Sequence, residues 1–197
     1  DLGLLPIKNI DLPEKLRRDT KAKKSRENKR NLGASIDERP EIVDLRTEFG
    51  HWEADTVVGK KDEGEPCVLT LVERVTRMCL WIKAENHTAD AIQAALESVM
   101  EYFGEQKNEI FKTITGDNGL EFANLSLFED GRLKVYFTHP YSSWEKGTNE
   151  CHNKMLRRFI PKGKSISDYD ADDICFFADC INGLPRKILY RTPEMMF

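Results

Sequence analysis

Beyond Phe49 the chain settles into three short apolar or alternating runs, His51 to Val58, Cys67 to Glu73 and Met78 to Ala84. The links between them, the polar Gly/Pro stretch Lys60 to Pro66 and the tight Arg74 to Arg77, are too short for helices, so the runs predict an antiparallel meander. A helix follows, with Thr88 as N-cap, Ile92, Leu96, Val99 and Phe103 as one buried stripe, and Gly104 as its stop. Two further β runs, Phe111 to Thr115 and Lys134 to Phe137, end on the polar loops Gly116-Asp117-Asn118-Gly119 and His139-Pro140. Helices are expected from about Thr148 to Ile160, halted by Pro161, and over about Ala171 to Asn182, capped by Ser167 or Asp168. The order β-β-β-α-β-α-β-α-α, with its antiparallel strands first, predicts an α/β fold: a mixed five-stranded sheet with helices on both faces.

Charge divides the chain. Residues 1–46 carry 12 basic and 9 acidic side chains, and residues 47–197 carry 18 and 25, so the parts stand at +3 and −7. The excess is densest in Lys8 to Arg30, with ten Lys/Arg against four acids. Such a run reads either as a solvated linker or as an arm laid along phosphates. The expected division is a basic N-terminal arm or linker over 1–46, partly disordered or extended, and a folded core over 47–197. No run of about 18 apolar residues and no secretory signal is present, which argues against membrane insertion or export. Five scattered cysteines, Cys67, Cys79, Cys151, Cys175 and Cys180, form no Cys-x-x-Cys pair. They are expected to be reduced core or inert thiols of a cytoplasmic protein. Cys151, His139 and His152 match no common structural zinc spacing. The start at Asp1 rather than Met suggests a fragment of a longer protein.

Three carboxylates fall where such a sheet would gather them: Asp55 in the first strand, Asp117 after the fourth, and Glu150 at the start of the helix after the fifth. Asp55 stands among Trp52, Ala54, Val57 and Val58, so its charge needs a partner. In a chain with 34 acids, three unrelated ones can also be joined by chance. A divalent cation is the partner that suits three carboxylates, since Mg²⁺ takes carboxylate, water and phosphate oxygens, and two ions about 4 Å apart promote phosphodiester displacement. On a 100° wheel Lys154 and Arg157 lie within about 40° of Glu150, which describes either an ordinary i, i+4 pair or a ligand beside a phosphate track.

The segments Gly50-His51-Trp52-Glu53-Ala54-Asp55-Thr56, Ile114-Thr115-Gly116-Asp117-Asn118-Gly119-Leu120-Glu121-Phe122 and Pro140-Tyr141-Ser142-Ser143-Trp144-Glu145-Lys146-Gly147-Thr148-Asn149-Glu150 resemble the catalytic blocks of the insertion sequence thirty family of bacterial transposases. So do Phe159-Ile160-Pro161-Lys162-Gly163 and Leu184-Pro185-Arg186-Lys187-Ile188-Leu189. The resemblance runs in order from about Asp11 to Phe197, departing at Leu120 and at Cys151, where the family commonly has Asn. It implies a ribonuclease-H-like integrase core whose catalytic and metal-binding triad is Asp55, Asp117 and Glu150, loaded with two Mg²⁺ or Mn²⁺ ions.

The implied activity is cleavage of one strand at an element end, then transfer of the freed 3′ hydroxyl to another phosphodiester. The partners are DNA and further copies assembled on it, with nucleoid-associated location. Contacts to DNA are expected from Trp144, Lys146, Asn149, Lys154, Arg157, Arg158, Lys162 and Lys164. Trp144 could equally anchor its own loop, and Arg186, Lys187 and Arg191 are as readily solvated as phosphate-bound. A nuclease of the same fold, or a silent DNA-binding remnant, are the rivals.

Overall fold

A computed structural model describes residues 32–197, apart from Lys61 and Tyr141. The basic run Lys8 to Arg30 lies outside the described residues. Five strands, β1 (His51–Val58), β2 (Cys67–Glu73), β3 (Cys79–Ala84), β4 (Thr113–Gly116) and β5 (Lys134–Phe137), form one sheet in the order β3-β2-β1-β4-β5. The first three are antiparallel, and β1, β4 and β5 are parallel. The expected mixed sheet is thus present, with its meander on one side of β1 and its parallel pair on the other.

Alternation in β1 sorts the sheet's two faces. Trp52 and Ala54 point into a core shared with Leu69, Leu71 and helix α2 (Ala89–Phe103), while Val57 joins Val68, Val72 and Trp81 beneath helices α4 (Gly147–Phe159) and α5 (Ala171–Asn182). Short helices α1 (Glu41–Leu45) and α3 (Lys107–Ile110) complete the set. Helix α2 starts where Thr88 accepts a hydrogen bond from the Ala91 N–H, and it ends at Gly104, whose φ of 51° suits glycine. Helix α5 is capped by Asp170 in a reciprocal box with Asp173, not by Ser167 or Asp168, which belong to the preceding 3-10 turn.

Three expectations change. No helix joins β4 to β5 among the described residues; Leu120–Phe122 and Leu125–Phe128 are single 3-10 turns, interrupted by the Asp117–Gly119 turn and Asn124. Strand β4 starts at Thr113 because Phe111 closes α3 and buries its ring 5.0 Å from that of Trp52. Residues ahead of 47 also pack: the Phe137 N–H donates to Ala34 O at 2.9 Å, Val43 is fully buried, and Arg74 Nε donates to Val43 O. Among the cysteines, burial pushes the Cys67 and Cys79 thiols up to about 12, whereas Cys151 and Cys175 are exposed.

Candidate active site

The site follows from strand register. On the parallel side His51 is opposite Thr113 and Glu53 opposite Thr115, so the same pairing carried two residues further brings Asp55 beside Asp117 at the strand ends. Asp117 turns the chain: its Oδ1 accepts the Gly119 N–H at 2.9 Å, and Asn118 Nδ2 ties the loop to Thr138 O at 2.6 Å.

Between the two aspartates stands Lys146. Its Nζ donates to Asp55 Oδ1 at 3.1 Å, Asp117 Oδ2 at 3.2 Å and Ala54 O at 3.0 Å, and lies 5.7 Å from the centre of the Phe122 ring. The side chain is 7% exposed, so an ammonium is held at the junction of two carboxylates. Lys146, expected to contact DNA, meets these carboxylates because it precedes α4 on the side of the helix that packs on the sheet.

Asn149 and Asn153 share that side, three and seven residues on. Asn149 is fully buried: its N–H donates to Glu53 Oε2, its Nδ2 to Glu53 O and Thr70 O, and its Oδ1 accepts from Thr70 Oγ1. A residue so enclosed cannot touch DNA, and its expected contact gives way to clamping α4 onto β1 and β2. Asn153, which the sequence reading passed over, donates to Asp55 Oδ2 at 2.7 Å and fixes that carboxylate. Its signal was the 146, 149, 153 spacing.

Glu53 is another residue overlooked. It is completely buried, and Arg74 Nη1 donates to its Oε1 at 2.6 Å. Glu53 thereby joins Arg74 to the N-terminal turn of α4, fixing the helix that carries Lys146.

No hydrogen bond or ion pair joins Glu150 to this pair or to Lys146 among the described residues. Its carboxylate is exposed and accepts from Lys154 Nζ at 2.9 Å, the i, i+4 pair the wheel allows. Among the described residues no three His, Cys, Asp or Glu side chains are grouped to hold a metal ion. Trp144 is 73% exposed. Arg158, Lys162 and Lys164 are exposed, while Arg157 Nη2 donates to Val58 O and pins α4 to the end of β1.

A further polar cluster borders the aspartates. His87 Nε2 lies 2.9 Å from Thr56 Oγ1 and 3.1 Å from Glu121 Oε1. The hydrogen bond to Glu121 raises the His87 pKa against the effect of burial, and the charges of Asp117 and Asp55 raise it further. Burial alone would raise Glu121, but the His87 contact, together with hydrogen bonds from its own backbone N–H and from Thr56, holds that carboxyl below its ordinary value. A Cβ on Gly119 would sit 2.4 Å from the Glu121 carboxylate, so only glycine leaves it that position.

Residues 46–143 match the integrase core domain family. The chain is 43% identical over 196 residues to a probable transposase for insertion-like sequence element IS1161 of Streptococcus salivarius, covering 99% of this chain and 55% of the relative. It is 40% identical to the transposase of IS4351 of Bacteroides fragilis, covering 82% and 48%, and 33% identical to the IS30A transposase of Escherichia coli, covering 82% and 41%. The chain belongs to the IS30 family of transposases. It spans about half the length of the curated relatives it matches.

Two solved structures place the IS30-family chain among ribonuclease-H-like folds. They are a simian T-cell lymphotropic virus intasome in complex with a PP2A regulatory subunit (TM-score 0.56, 16% identity, covering 75% of this chain and 54% of that one) and the HTLV-2 integrase catalytic core domain in complex with magnesium (TM-score 0.52, 16% identity, 75% and 95%). No helix among the described residues is long and apolar enough to cross a membrane.

Proposed function

We propose that this chain is the catalytic core of a transposase that cleaves one strand at the end of its mobile element and joins the freed 3′ hydroxyl to a second phosphodiester. The observation that carries the reading is the pair Asp55 and Asp117, brought together by parallel register and sharing one cationic group. The donor set suits a hard divalent ion, because two carboxylates converge on one position and the Lys146 ammonium already stands there as a cation. Asp55 and Asp117, with Glu150 as the third ligand that the family resemblance assigns, would hold Mg²⁺ or Mn²⁺; the HTLV-2 integrase catalytic core, of similar fold, is in complex with magnesium. Such ions polarise phosphoryl oxygen and lower the pKa of an attacking hydroxyl.

The chain's own residues do the positioning. Asn153 fixes the second oxygen of Asp55, and Asn149, through Glu53 and Thr70, holds α4 against the sheet so that Lys146 stays at the carboxylates. Lys146 supplies positive charge where a phosphodiester would enter. Trp144 on the adjoining turn offers an exposed ring to an unpaired base, and Lys154, Arg158, Lys162 and Lys164 offer cations to the backbone. Several copies would assemble on DNA, since two element ends must be joined in one event.

Incubation of the protein and Mg²⁺ with a labelled duplex ending in its element's terminal repeat tests the reading. Strand cleavage followed by joined product is the expected result. Cleavage without joining identifies a nuclease, and binding without either identifies a silent remnant.

A further inference from the structure

The motif Leu184 to Leu189 brings Arg186 to a cavity of about 350 Å³ on the other side of α4. Arg46 and Arg77 line the same cavity, along with Gly147, Thr148 and Cys151, and among the described residues no carboxylate does. None of the three arginines forms an ion pair among the described residues. Arg77 Nη1 donates to Thr148 Oγ1 at 2.9 Å, its one side-chain hydrogen bond among the described residues. Arg186 Nη2 donates to Ile181 O and Nη1 touches Met155 Sδ, while its buried Nε has no partner among the described residues. The nearby carboxylates are already engaged: Glu53 by Arg74 and the Asn149 N–H, and Glu73 by the N–H groups of Gly50, Val75 and Thr76.

Backbone conformation marks the same place. Among the described residues three non-glycines have positive φ: Arg46 at 53°, Arg77 at 62° and Tyr190 at 55°, the last in the turn between Arg186 and Arg191. A left-handed conformation costs a non-glycine roughly 1–2 kcal/mol, and such residues gather at ligand clamps. Here Arg46, at the C-cap of α1, and Arg77, in the turn between β2 and β3, line one cavity, and Tyr190 lies in the turn that follows Arg186. Glu53 and Glu73 offset part of the Arg77 charge, against which Arg46 and Arg74 act, and three arginines without an ion pair among the described residues repel one another less when an anion sits between them. The first turn of the 13-residue helix α4, which also lines the cavity, adds its partial positive charge.

We propose that Arg46, Arg77 and Arg186 form a pocket for a phosphate of the DNA backbone, separated from Asp55 and Asp117 by the width of α4. The assignment to DNA rests on the transposase reading. The pocket is lined by Gly147, Thr148, Cys151 and Met155, whereas the carboxylates are met by Lys146 and Asn153, on the opposite side of the helix. A helix with its side chains is about 10–12 Å across. At about 3.4 Å of rise per nucleotide, that width corresponds to roughly three steps of one strand. A strand cut at the aspartates would then be gripped a few nucleotides away, which fixes its direction through the site without reading its sequence.

Two measurements on the full chain test this. Inorganic phosphate should slow alkylation of Cys151, which lines the pocket, while leaving the exposed Cys175 unaffected in the same sample. Duplex binding followed by fluorescence anisotropy across salt should show a log-log slope smaller by about 0.9 in the double variant Arg46→Gln/Arg77→Gln, equally on unrelated sequences. Arg46→Gln alone, at a side chain with no hydrogen bond among the described residues, should show part of that loss and serves as the control if the double variant unfolds. Protection of Cys151 with an unchanged slope makes the pocket a free-anion site and overturns the DNA assignment. No protection and an unchanged slope overturns the pocket altogether. A wild-type chain that binds no DNA, yet shows protection, refutes the transposase reading and the DNA assignment while leaving the anion pocket standing.

Discussion

The Nζ of Lys146 lies 3.2 Å from Oδ2 of Asp117, and this one contact decides what neutralising the aspartate does to the metal-free protein. Two crowded carboxylates alone would repel, so neutralising one would stabilise the metal-free protein. With an almost buried ammonium between them, neutralisation instead removes half of the lysine's charge compensation. Asp117→Asn should abolish strand cleavage and joining, and should lower metal-free stability by about 1 kcal/mol. Thermal unfolding in EDTA beside the cleavage assay checks both. A gain in stability would mean that Lys146 does not offset the pair.

The pair Arg74 and Glu53 should dominate the stability of the site's framework. Glu53 is fully buried and Arg74 nearly so, at a 2.6 Å contact, and removing one partner of such a pair typically costs about 3–5 kcal/mol. Arg74→Met is therefore expected to shift the urea midpoint far more than Glu48→Gln, whose partners Lys112 and His51 compensate an outer carboxylate. Equal shifts would remove Glu53 as the anchor of α4.

Much of this framework was legible in the chain because local patterns coincide with it. The strands His51–Val58, Cys67–Glu73 and Lys134–Phe137 and the helix stopped by Gly104 follow from alternation, stripe and cap, which depend on neighbours in sequence. The convergence of Asp55 and Asp117 was legible as well, since parallel strands deliver their ends to one edge. The inward turn of Lys146 and the burial of Asn149 were not. Both residues look like surface groups, and only the packing of α4 against Glu53 and Thr70 decides which side of that helix faces the sheet. Arg186 is similar: no local pattern reveals that its neighbours in space are Arg46 and Arg77.

Acid should weaken the fold through His152. Burial, with the charges of Arg186 and Arg77, depresses its pKa from the ordinary 6.5 to about 4, although Thr148 O and Arg77 O pull the other way. The unfolded chain thus binds a proton near pH 6.5 that the folded chain refuses until about pH 4. Stability from this residue is complete above 6.5, falls as pH drops through that window, and levels off below it, for a loss of roughly 3 kcal/mol. The carboxylates of Glu48 and Glu121, also depressed, add to the decline at lower pH. Urea unfolding of wild type and His152→Gln between pH 4 and 7 isolates the histidine, whose variant should lose the steep part of the curve. Parallel curves would place the proton uptake elsewhere.

Lys146 should also govern how readily the carboxylates accept a divalent ion. In the metal-free protein its ammonium occupies the position between Asp55 and Asp117, so any cation entering there competes with two ion pairs and a hydrogen bond to Ala54 O. Replacing the lysine by the similarly long but uncharged methionine leaves two carboxylates facing each other without compensation, which destabilises the metal-free state. Added Mn²⁺ then relieves more repulsion than it does in the wild type, because binding to the folded state alone raises stability by an amount set by affinity. The melting temperature of Lys146→Met should accordingly be lower than wild type in EDTA and rise further on Mn²⁺ addition, while strand cleavage falls for want of the positive charge beside the phosphate. A smaller Mn²⁺ response in the variant than in the wild type would show that the lysine assists metal loading instead of opposing it. The 3.1 and 3.2 Å contacts would then describe a residue that orders the ligands for the metal, one that Asn153→Ala should weaken in the same direction by freeing Asp55.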